Sequence, residues 1–210
     1  MSAPGMIAFF VALGLALPAI AAPMANVPSE DDWPCQQRLV PVIAAATVWD
    51  GPSLDKAGDW RSEPAVAALV ERIAPRAIDE GTGSAAIADF VKELPNDRAA
   101  RERLVTLAFA GLLEETNRER TFVINRIKEL DERQQKVSAL VARLTAEYDA
   151  IPADAQGDLA TRRADLERRR TYIARTFEEV QRTMRYACEA PTVLDARLGA
   201  YARALQASLS

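Results

Sequence analysis

Residues 123–187 read VINRIKELDERQQKVSALVARLTAEYDAI, PADAQGD and LATRRADLERRRTYIARTFEEVQRTMRYA in three successive parts, and they decide the fold. In the first and third parts, seam positions recur at spacings that alternate between four and three residues, which is typical of helices that pack along a coiled-coil seam. The first series is Val123, Ile127, Leu130, Gln134, Val137, Val141, Leu144, Tyr148 and Ile151. The second series is Leu159, Arg163, Leu166, Arg170, Ile173, Phe177, Val180, Met184 and Ala187.

The middle part, residues 152–158, separates the two helices. Pro152 and Gly157 are turn formers, and a connection this short makes the flanking helices antiparallel neighbours. Folding the chain back about residue 155 places seam residues opposite one another: Leu144 with Leu166, Val137 with Ile173, Leu130 with Val180 and Ile127 with Met184. The sequence therefore predicts a long antiparallel hairpin. Its arms are each roughly 40 Å long at about 1.5 Å per residue, so the tip projects beyond the domain.

The prolines divide the rest of the chain into an irregular part and a helical part. All but two of the twelve prolines precede residue 96, and proline interrupts helices. The short helices predicted in the first part cover residues 39–49, 63–74 and 84–94. Ser84 is the predicted N-cap of the third. Asn96 or Asp97 is predicted to cap the helix that leads into the hairpin, and Pro191 to open a last helix.

These patterns define the fold class and the organisation of the chain. No window alternates between apolar and polar residues as a strand does. The predicted class is all-α, a helical bundle with a long antiparallel coiled-coil hairpin and an irregular, Pro- and Trp-rich N-terminal segment. Its predicted parts are a signal peptide over 1–21, a tethered segment over 22–62 and a helical domain over 63–210, with the hairpin at about 97–188 and the last helix at about 192–208.

The N-terminus predicts export. Residues 6–17 form an apolar core, and Ala19 and Ala21 provide the small residues that a signal peptidase recognises, so cleavage is expected near Ala21. No Lys or Arg precedes this core, and an uncleaved membrane anchor is the alternative. Pro18 and a length of about 17 residues make such an anchor poor, because about 20 apolar residues are needed to span a bilayer. The predicted location is the periplasm.

The chain contains two cysteines, Cys35 and Cys188. In an exported chain an even count favours a disulfide, and neither cysteine has a partner at the spacing of a metal site. The bridge would close a loop of about 150 residues, to which the chain-entropy account assigns on the order of 4 to 5 kcal/mol. Two separate buried thiols are the alternative.

The first predicted segment also carries a resemblance. Residues 32–38 read DWPCQQR and residues 48–52 read VWDGP. This segment resembles the one that opens the mature chain of uncharacterised exported helical proteins of Gram-negative bacteria. The resemblance covers about twenty residues and implies export and a tethered N-terminal segment, but no activity.

The composition argues against most enzyme chemistry. The chain has no histidine, which removes the usual general base and the Glu-x-x-His metal pairs of ferritin-like bundles. Glu114-Glu115 and Glu178-Glu179 are carboxylate pairs, but neighbours on a helix point about 100° apart and do not converge on one ion. Residues 81–84, Gly-Thr-Gly-Ser, could cradle a phosphate or simply form a turn and N-cap. We expect no enzymatic activity and no cofactor.

A basic stretch near the hairpin tip is the candidate partner-binding site. Its arginines are Arg162, Arg163, Arg168, Arg169, Arg170 and Arg175. They could form a solvated face or bind an acidic envelope protein or an anionic membrane surface. Arg163 and Arg170 occupy seam positions, where an ion pair with Glu147 could offset their burial, or they could lie at the edge of a looser seam. The net charge of −4 argues against nucleic acid as the partner. A heptad surface can also pair with a copy of itself, so a homo-oligomer is a further candidate.

All three tryptophans, Trp33, Trp49 and Trp60, lie in the N-terminal segment. They could form an aromatic platform for a small ligand or act as wedges that pin the segment to the helical body. The sequence therefore leads to two functional expectations. The first is a non-enzymatic structural or adaptor protein that presents the hairpin to another envelope component. The alternative is a periplasmic small-ligand binding module with a pocket near the Trp-rich segment.

Overall fold

The computed structural model describes residues 33–209, so the predicted signal peptide lies outside the described residues. Four helices account for most of this range: α1 (Pro64–Ile73), α2 (Glu80–Lys92), α3 (Arg98–Asp149) and α4 (Asp158–Gln206). Three short 3-10 turns precede them, at Ala45–Thr47, Leu54–Lys56 and Trp60–Ser62. The described part of the chain contains no strand. The fold is an all-α bundle, as the sequence predicted.

The helix predicted over residues 39–49 is wrong, because only Ala45–Thr47 forms a helical turn there. The reason is a long-range contact. The side chain of Asn117, on α3, accepts a hydrogen bond from the Ile43 N–H at 2.8 Å and donates one to the Ile43 carbonyl at 3.1 Å. The backbone of Ile43 therefore forms its hydrogen bonds with α3 and not with its own chain neighbours. Residues 33–62 thus form an irregular segment across the helices, which we call the strap.

Helix α2 begins earlier than predicted, so Ser84 is not its cap. The N-cap is Asp79, whose carboxylate accepts hydrogen bonds from the backbone N–H and the hydroxyl of Thr82 at 2.9 and 2.6 Å. Residues 81–84 consequently lie inside the first turns of α2 and form neither a loop nor a phosphate cradle. Gly83 is buried against α4, where a Cβ atom at this position would lie 1.8 Å from the hydroxyl of Tyr201. This glycine allows α2 and α4 to approach closely.

The two long helices form the predicted hairpin. Asp97 caps α3 by accepting a hydrogen bond from the Ala100 N–H at 2.8 Å. The separate last helix predicted at about 192–208 is wrong, because α4 runs unbroken through Pro191. Proline in a helix interior costs about 3 kcal/mol, but α4 is held on both sides of it: Met184 and Leu194 pack in the same cluster against α3. Burial on both flanks keeps the helix continuous through a residue that would end an isolated one.

The main core lies at one end of the molecule. It joins α1 and α2 to the first half of α3 and the last turns of α4, and Trp49 stacks on Phe109 within it at 4.2 Å between ring centres. Two smaller clusters follow along the hairpin. The inner cluster contains Ile127 and Met184, and the outer one Leu144 and Leu166, as the predicted pairing requires.

The outer cluster is built from α3, α4 and their connecting loop alone. At about 1.5 Å per residue, α3 extends roughly 30 Å beyond Leu130. The distal hairpin is therefore a two-helix arm with much of its surface in solvent. In the part of the chain that the structure describes, no helix is both long and apolar enough to cross a membrane.

Candidate interaction surface on the hairpin

Two of the six predicted arginines are structural. The guanidinium carbons of Arg163 and Arg170 lie 3.9 and 4.3 Å from the ring centre of Tyr148. Arg163 also donates hydrogen bonds to the carbonyls of Tyr148, at 3.1 Å, and of Ile151. Stacking on an aromatic face and binding of free helix-end carbonyls both stabilise a cation. These two residues secure the tip of the hairpin.

The ion pairs suggested for these two seam arginines do not form with Glu147. That carboxylate faces Arg143 of its own helix at 3.9 Å. The ring of Tyr148 stabilises the two guanidinium groups at the seam instead, so no buried carboxylate is needed there. The sequence identified the unusual seam positions but not the group that compensates them.

The other four arginines are exposed on α4: Arg162, Arg168, Arg169 and Arg175. Arg168 and Arg169 both contact Asp165, at 3.3 and 2.7 Å, so two guanidinium groups share one carboxylate. Exposed ion pairs on a helix contribute less than about 1 kcal/mol and are readily exchanged for other partners. This side of α4 therefore retains excess positive charge.

Tyr172 lies among these arginines, and sequence reasoning did not single it out. Its side chain is 70 % exposed, and it follows Arg168 and Arg169 by four and three residues and precedes Arg175 by three, so all four share one face of the helix. Tyrosine and arginine are enriched among the residues that dominate protein interfaces. The signal in the sequence was an aromatic residue placed off the seam inside a basic stretch.

The end of the hairpin carries the opposite charge. Asp149, Asp154 and Asp158 are exposed on the loop and the adjoining helix ends. The basic surface thus lies along the side of α4, while the extremity of the arm is acidic. A partner with negative charge is attracted to the side of the arm and repelled by its end.

The three tryptophans do not form a common platform. Trp49 and Trp60 are buried in the main core, where their N–H groups donate to the Pro52 carbonyl at 2.8 Å and to Glu114 at 2.9 Å. Trp33 packs instead against the inner hairpin cluster. All three rings act as wedges that attach the N-terminal strap to the helices.

A covalent clasp holds the start of the strap on α4. Cys35 and Cys188 form a disulfide with their Cα atoms 5.6 Å apart, and Gln37 donates a hydrogen bond to the Cys188 carbonyl. Further along, the buried guanidinium of Arg120 donates to the Val40 carbonyl and to the Pro191 carbonyl. The strap and the base of the hairpin thus form one unit.

A cavity of about 450 Å³ lies beside Trp60 and could hold a small molecule. Two of the three carboxylates that line it are already paired, Glu115 with two arginines and Glu119 with Arg76 at 3.8 Å. Arg61 contacts Glu114 at 2.8 Å and Glu115 at 3.2 Å, and Arg118 also contacts Glu115. The hydrogen bonds from Arg61 and Trp60 hold the pKa of Glu114 below its ordinary value near 4.5. A general acid needs a raised pKa, so this arrangement does not provide one.

The second carboxylate pair considered from the sequence does not form a site either. Glu178 and Glu179 are exposed on α4. Within residues 33–209 no group of three or more acidic or cysteine side chains is arranged to hold a metal ion.

Comparison with known protein families, with curated proteins and with solved structures gave no match. The fold and its surface therefore carry the functional argument alone. They define an all-α protein with a compact helical body, a disulfide-clasped strap and a two-helix arm.

Proposed function

We propose that this is a non-enzymatic structural or adaptor protein of the periplasm, which presents its hairpin to another envelope component. The observation that carries the proposal is the exposed surface of Arg162, Arg168, Arg169, Tyr172 and Arg175 on an arm that lies beyond the main core. An arm of this kind adds little to the stability of the body. Its length and its side chains suit recognition.

The location is part of the proposal. A disulfide persists in oxidising compartments and is rare in the cytosol, and the predicted leader directs the chain to such a compartment. The clasp at Cys35 and Cys188 supports this assignment, because it ties the segment that follows the leader to the base of the arm.

The alternative, a small-ligand binding module, draws support from the cavity beside Trp60. Its volume of about 450 Å³ falls within the usual range for ligand sites, roughly 300–1,000 Å³. Most of its charged lining is internally paired, so a ligand that bound Glu115 would have to displace Arg61 or Arg118 from it. We favour the adaptor because its candidate surface needs no such rearrangement.

The test is recovery of partners from crosslinked cell envelopes with the tagged, exported protein. In one variant the four exposed arginines of α4 are replaced by glutamine. A matched control variant carries four glutamines at exposed basic positions of α3: Arg126, Arg133, Lys136 and Arg143.

An adaptor is expected to recover one stoichiometric partner in the wild type and in the α3 control, and to lose it in the α4 variant. Equal recovery by both variants would place the contact elsewhere. Recovery of the protein alone, together with a thermal shift produced by small molecules, would favour the ligand-binding alternative.

A further inference from the structure

Helix α4 carries a second heptad series that the hairpin does not use. The positions are Tyr172, Thr176, Glu179, Thr183, Tyr186, Ala190 and Val193, again at alternating spacings of four and three. We call this series the outer seam. It is displaced by one residue from the seam that packs on α3, or about 100° around the helix. A helix with two such seams can pack against two neighbours at once, as in helical bundles.

Three of the four apolar members of the outer seam are open to solvent, whereas the fourth, Ala190, is half-buried against the inner hairpin cluster. Tyr172, Tyr186 and Val193 are 70 %, 69 % and 60 % exposed. They account for three of the seven large hydrophobic side chains that are exposed in the described part of the chain. They lie on one line of one helix at separations of 14 and 7 residues, both multiples of the heptad, which distinguishes them from scattered surface residues.

Charge on one edge of the outer seam restricts what can pack there. Arg168, Arg175 and Arg182 follow one another at intervals of seven and form a line beside the tyrosines, and Glu189 occupies the next position of the same line. In coiled coils, charged residues beside the seam select the partner through the charges on its own edge positions. A line of arginines at these positions selects carboxylates.

The base of the outer seam opens into a groove. This groove has a volume of about 610 Å³ and lies between α4 and residues 34–37, with Val193, Met184 and the disulfide in its lining. A helix that lies along the seam would reach this groove after three heptads, or roughly 30 Å. The strap therefore provides one end of the site.

On the basis of the proposed function, we infer that the outer seam docks an α-helix of a partner protein whose edge positions carry aspartate or glutamate. The docked helix would pack apolar side chains against Tyr172 and against Tyr186, on either side of Glu179, and pair its carboxylates with Arg168, Arg175 and Arg182. The small side chains of Thr176, Thr183 and Ala190 would allow it to approach α4 closely.

A second copy of this chain fits the seam less well. In a two-fold antiparallel pair the same edge meets itself, so even the register that pairs Arg168 with Glu189 of the other copy leaves Arg175 facing Arg182. In a parallel pair the arginine edge would meet four residues of the seam that packs on α3, namely Leu166, Ile173, Val180 and Ala187, and these offer no carboxylate. Neither arrangement neutralises all three arginines.

A lipid surface fits less well for a different reason. A helix that lies in a membrane interface needs a broad apolar face, whereas the outer seam has one apolar line interrupted by Glu179. The acidic residues at the end of the arm, Asp154 and Asp158, would also be repelled by anionic headgroups.

Site-specific photocrosslinking in intact cells tests the inference. The full exported chain carries p-benzoyl-phenylalanine in place of Tyr172 or Tyr186, and the matched control carries it in place of Ala139, which is exposed on α3. We expect both α4 positions to give an adduct to the same protein, through a helical contact peptide with a net negative charge, and at least tenfold more of it than the control.

Charge reversal then separates this contact from incidental capture. The double substitution Arg168→Glu and Arg175→Glu is expected to abolish the adduct at Tyr186. Replacing the facing carboxylates of the contact peptide by lysine should restore it. Both substituted residues are exposed, and an unchanged thermal unfolding curve would establish that the variant is folded.

The outcomes that overturn the inference are distinct. An adduct to a second copy, to lipid or to a neutral or basic peptide would exclude an acidic helix as the occupant. Adducts from Ala139 but not from Tyr172 or Tyr186 would leave the adaptor proposal standing and place its surface on α3. No adduct from any hairpin position would contradict both the inference and the proposed function.

Discussion

At the scale of single residues, the buried arginine Arg197 stabilises the body of the molecule. Arg197 is 6 % exposed and donates to three carbonyls, those of Ala74 at 2.7 Å, Pro75 at 2.8 Å and Ile78 at 2.9 Å. These carbonyls belong to the end of α1 and the turn that follows it. One guanidinium group thus provides the C-terminal cap that the local sequence lacks.

Substituting Arg197→Met should therefore be strongly destabilising. The methionine preserves most of the buried volume but leaves the Ala74 and Ile78 carbonyls without a donor, which is expected to cost on the order of 3 kcal/mol. The Pro75 carbonyl keeps the Ile78 N–H at 3.0 Å. Urea unfolding followed by circular dichroism measures this cost. Arg203→Met, at an exposed position of the same helix, is the control and should change the free energy of unfolding by less than about 0.5 kcal/mol. Similar values for both variants would contradict the capping role.

The lowered pKa of Glu114 predicts how the stability of the protein depends on pH. Its pKa is lowered in the folded state, first by the Arg61 hydrogen bond and then by Trp60. The ionised form is therefore stabilised by folding. Its contribution is present above the ordinary pKa near 4.5 and is lost as the pH falls through the lowered value. Because the side chain is 53 % exposed, the effect should stay below about 1 kcal/mol.

Comparison of the wild type with Glu114→Gln checks this prediction. The stability difference should be largest near neutral pH and should vanish in acid. Asp195 gives a contrast, because burial raises its pKa despite the opposing attraction of Arg120. Asp195 therefore gains relative stability as the pH falls, and Asp195→Asn should show the opposite slope. Thermal melts across the acid range would distinguish the two.

At the scale of elements, the crossing of α2 and α4 depends on Gly83. Alanine favours a helix interior by about 1 kcal/mol over glycine, yet a Cβ at Gly83 would lie 1.8 Å from the Tyr201 hydroxyl and 2.3 Å from its ring. The ring is part of the buried core and cannot move aside freely. Gly83→Ala should therefore destabilise the protein by about 1 to 3 kcal/mol.

Gly199→Ala on α4 is the matched substitution. Its Cβ would meet only the end of the Arg203 side chain at 3.4 Å, so this change should be neutral or stabilising by up to about 1 kcal/mol. Both values come from the same chemical unfolding experiment. If Gly83→Ala were as mild as Gly199→Ala, the two helices would not be in close contact at this point.

The contact of Tyr148 with Arg163 and Arg170 should stabilise the arm and not the body. Tyr148→Ala removes both cation–π contacts, and the opening free energy of the amides near residues 140–170 should fall by about 1 to 3 kcal/mol. Amides of α1 and of the first turns of α3 should keep their protection. Hydrogen exchange with mass spectrometry measures both regions, and Tyr172→Ala, at an exposed position, should leave both unchanged.

The elements also show what the sequence could and could not specify. The hairpin was predictable because its heptads and its turn are local signals. The strap was not, since the partner of Ile43 is Asn117, 74 residues away. Helix α4 continues through Pro191 because burial of Met184 and Leu194 outweighs a local preference, and no short window contains that information.

At the scale of the whole molecule, the candidate surface was predictable in charge but not in shape. Clustered arginines are visible in any reading of residues 162–175, but their separation into an exposed group and the pair on Tyr148 depends on the packing of α3 against α4. Tyr172 and the outer seam emerge only once it is known which face of α4 the hairpin leaves open. The direction of each side chain decides which part of a basic stretch can bind a partner.

The disulfide makes the body, the strap and the base of the arm depend on one another. Removal of both cysteines by Cys35→Ser and Cys188→Ser should lower the free energy of unfolding by about 2 to 5 kcal/mol, because the bridge closes a loop over a sequence separation of 153 residues. The helical content should persist, since the main core contains neither cysteine. Urea titrations with and without reductant measure the effect. Reductant should destabilise the wild type to a similar degree and leave the double variant unchanged. If the reduced wild type were as stable as the oxidised one, the wedges Trp49 and Trp60 and the Arg120 contacts would hold the strap without the clasp.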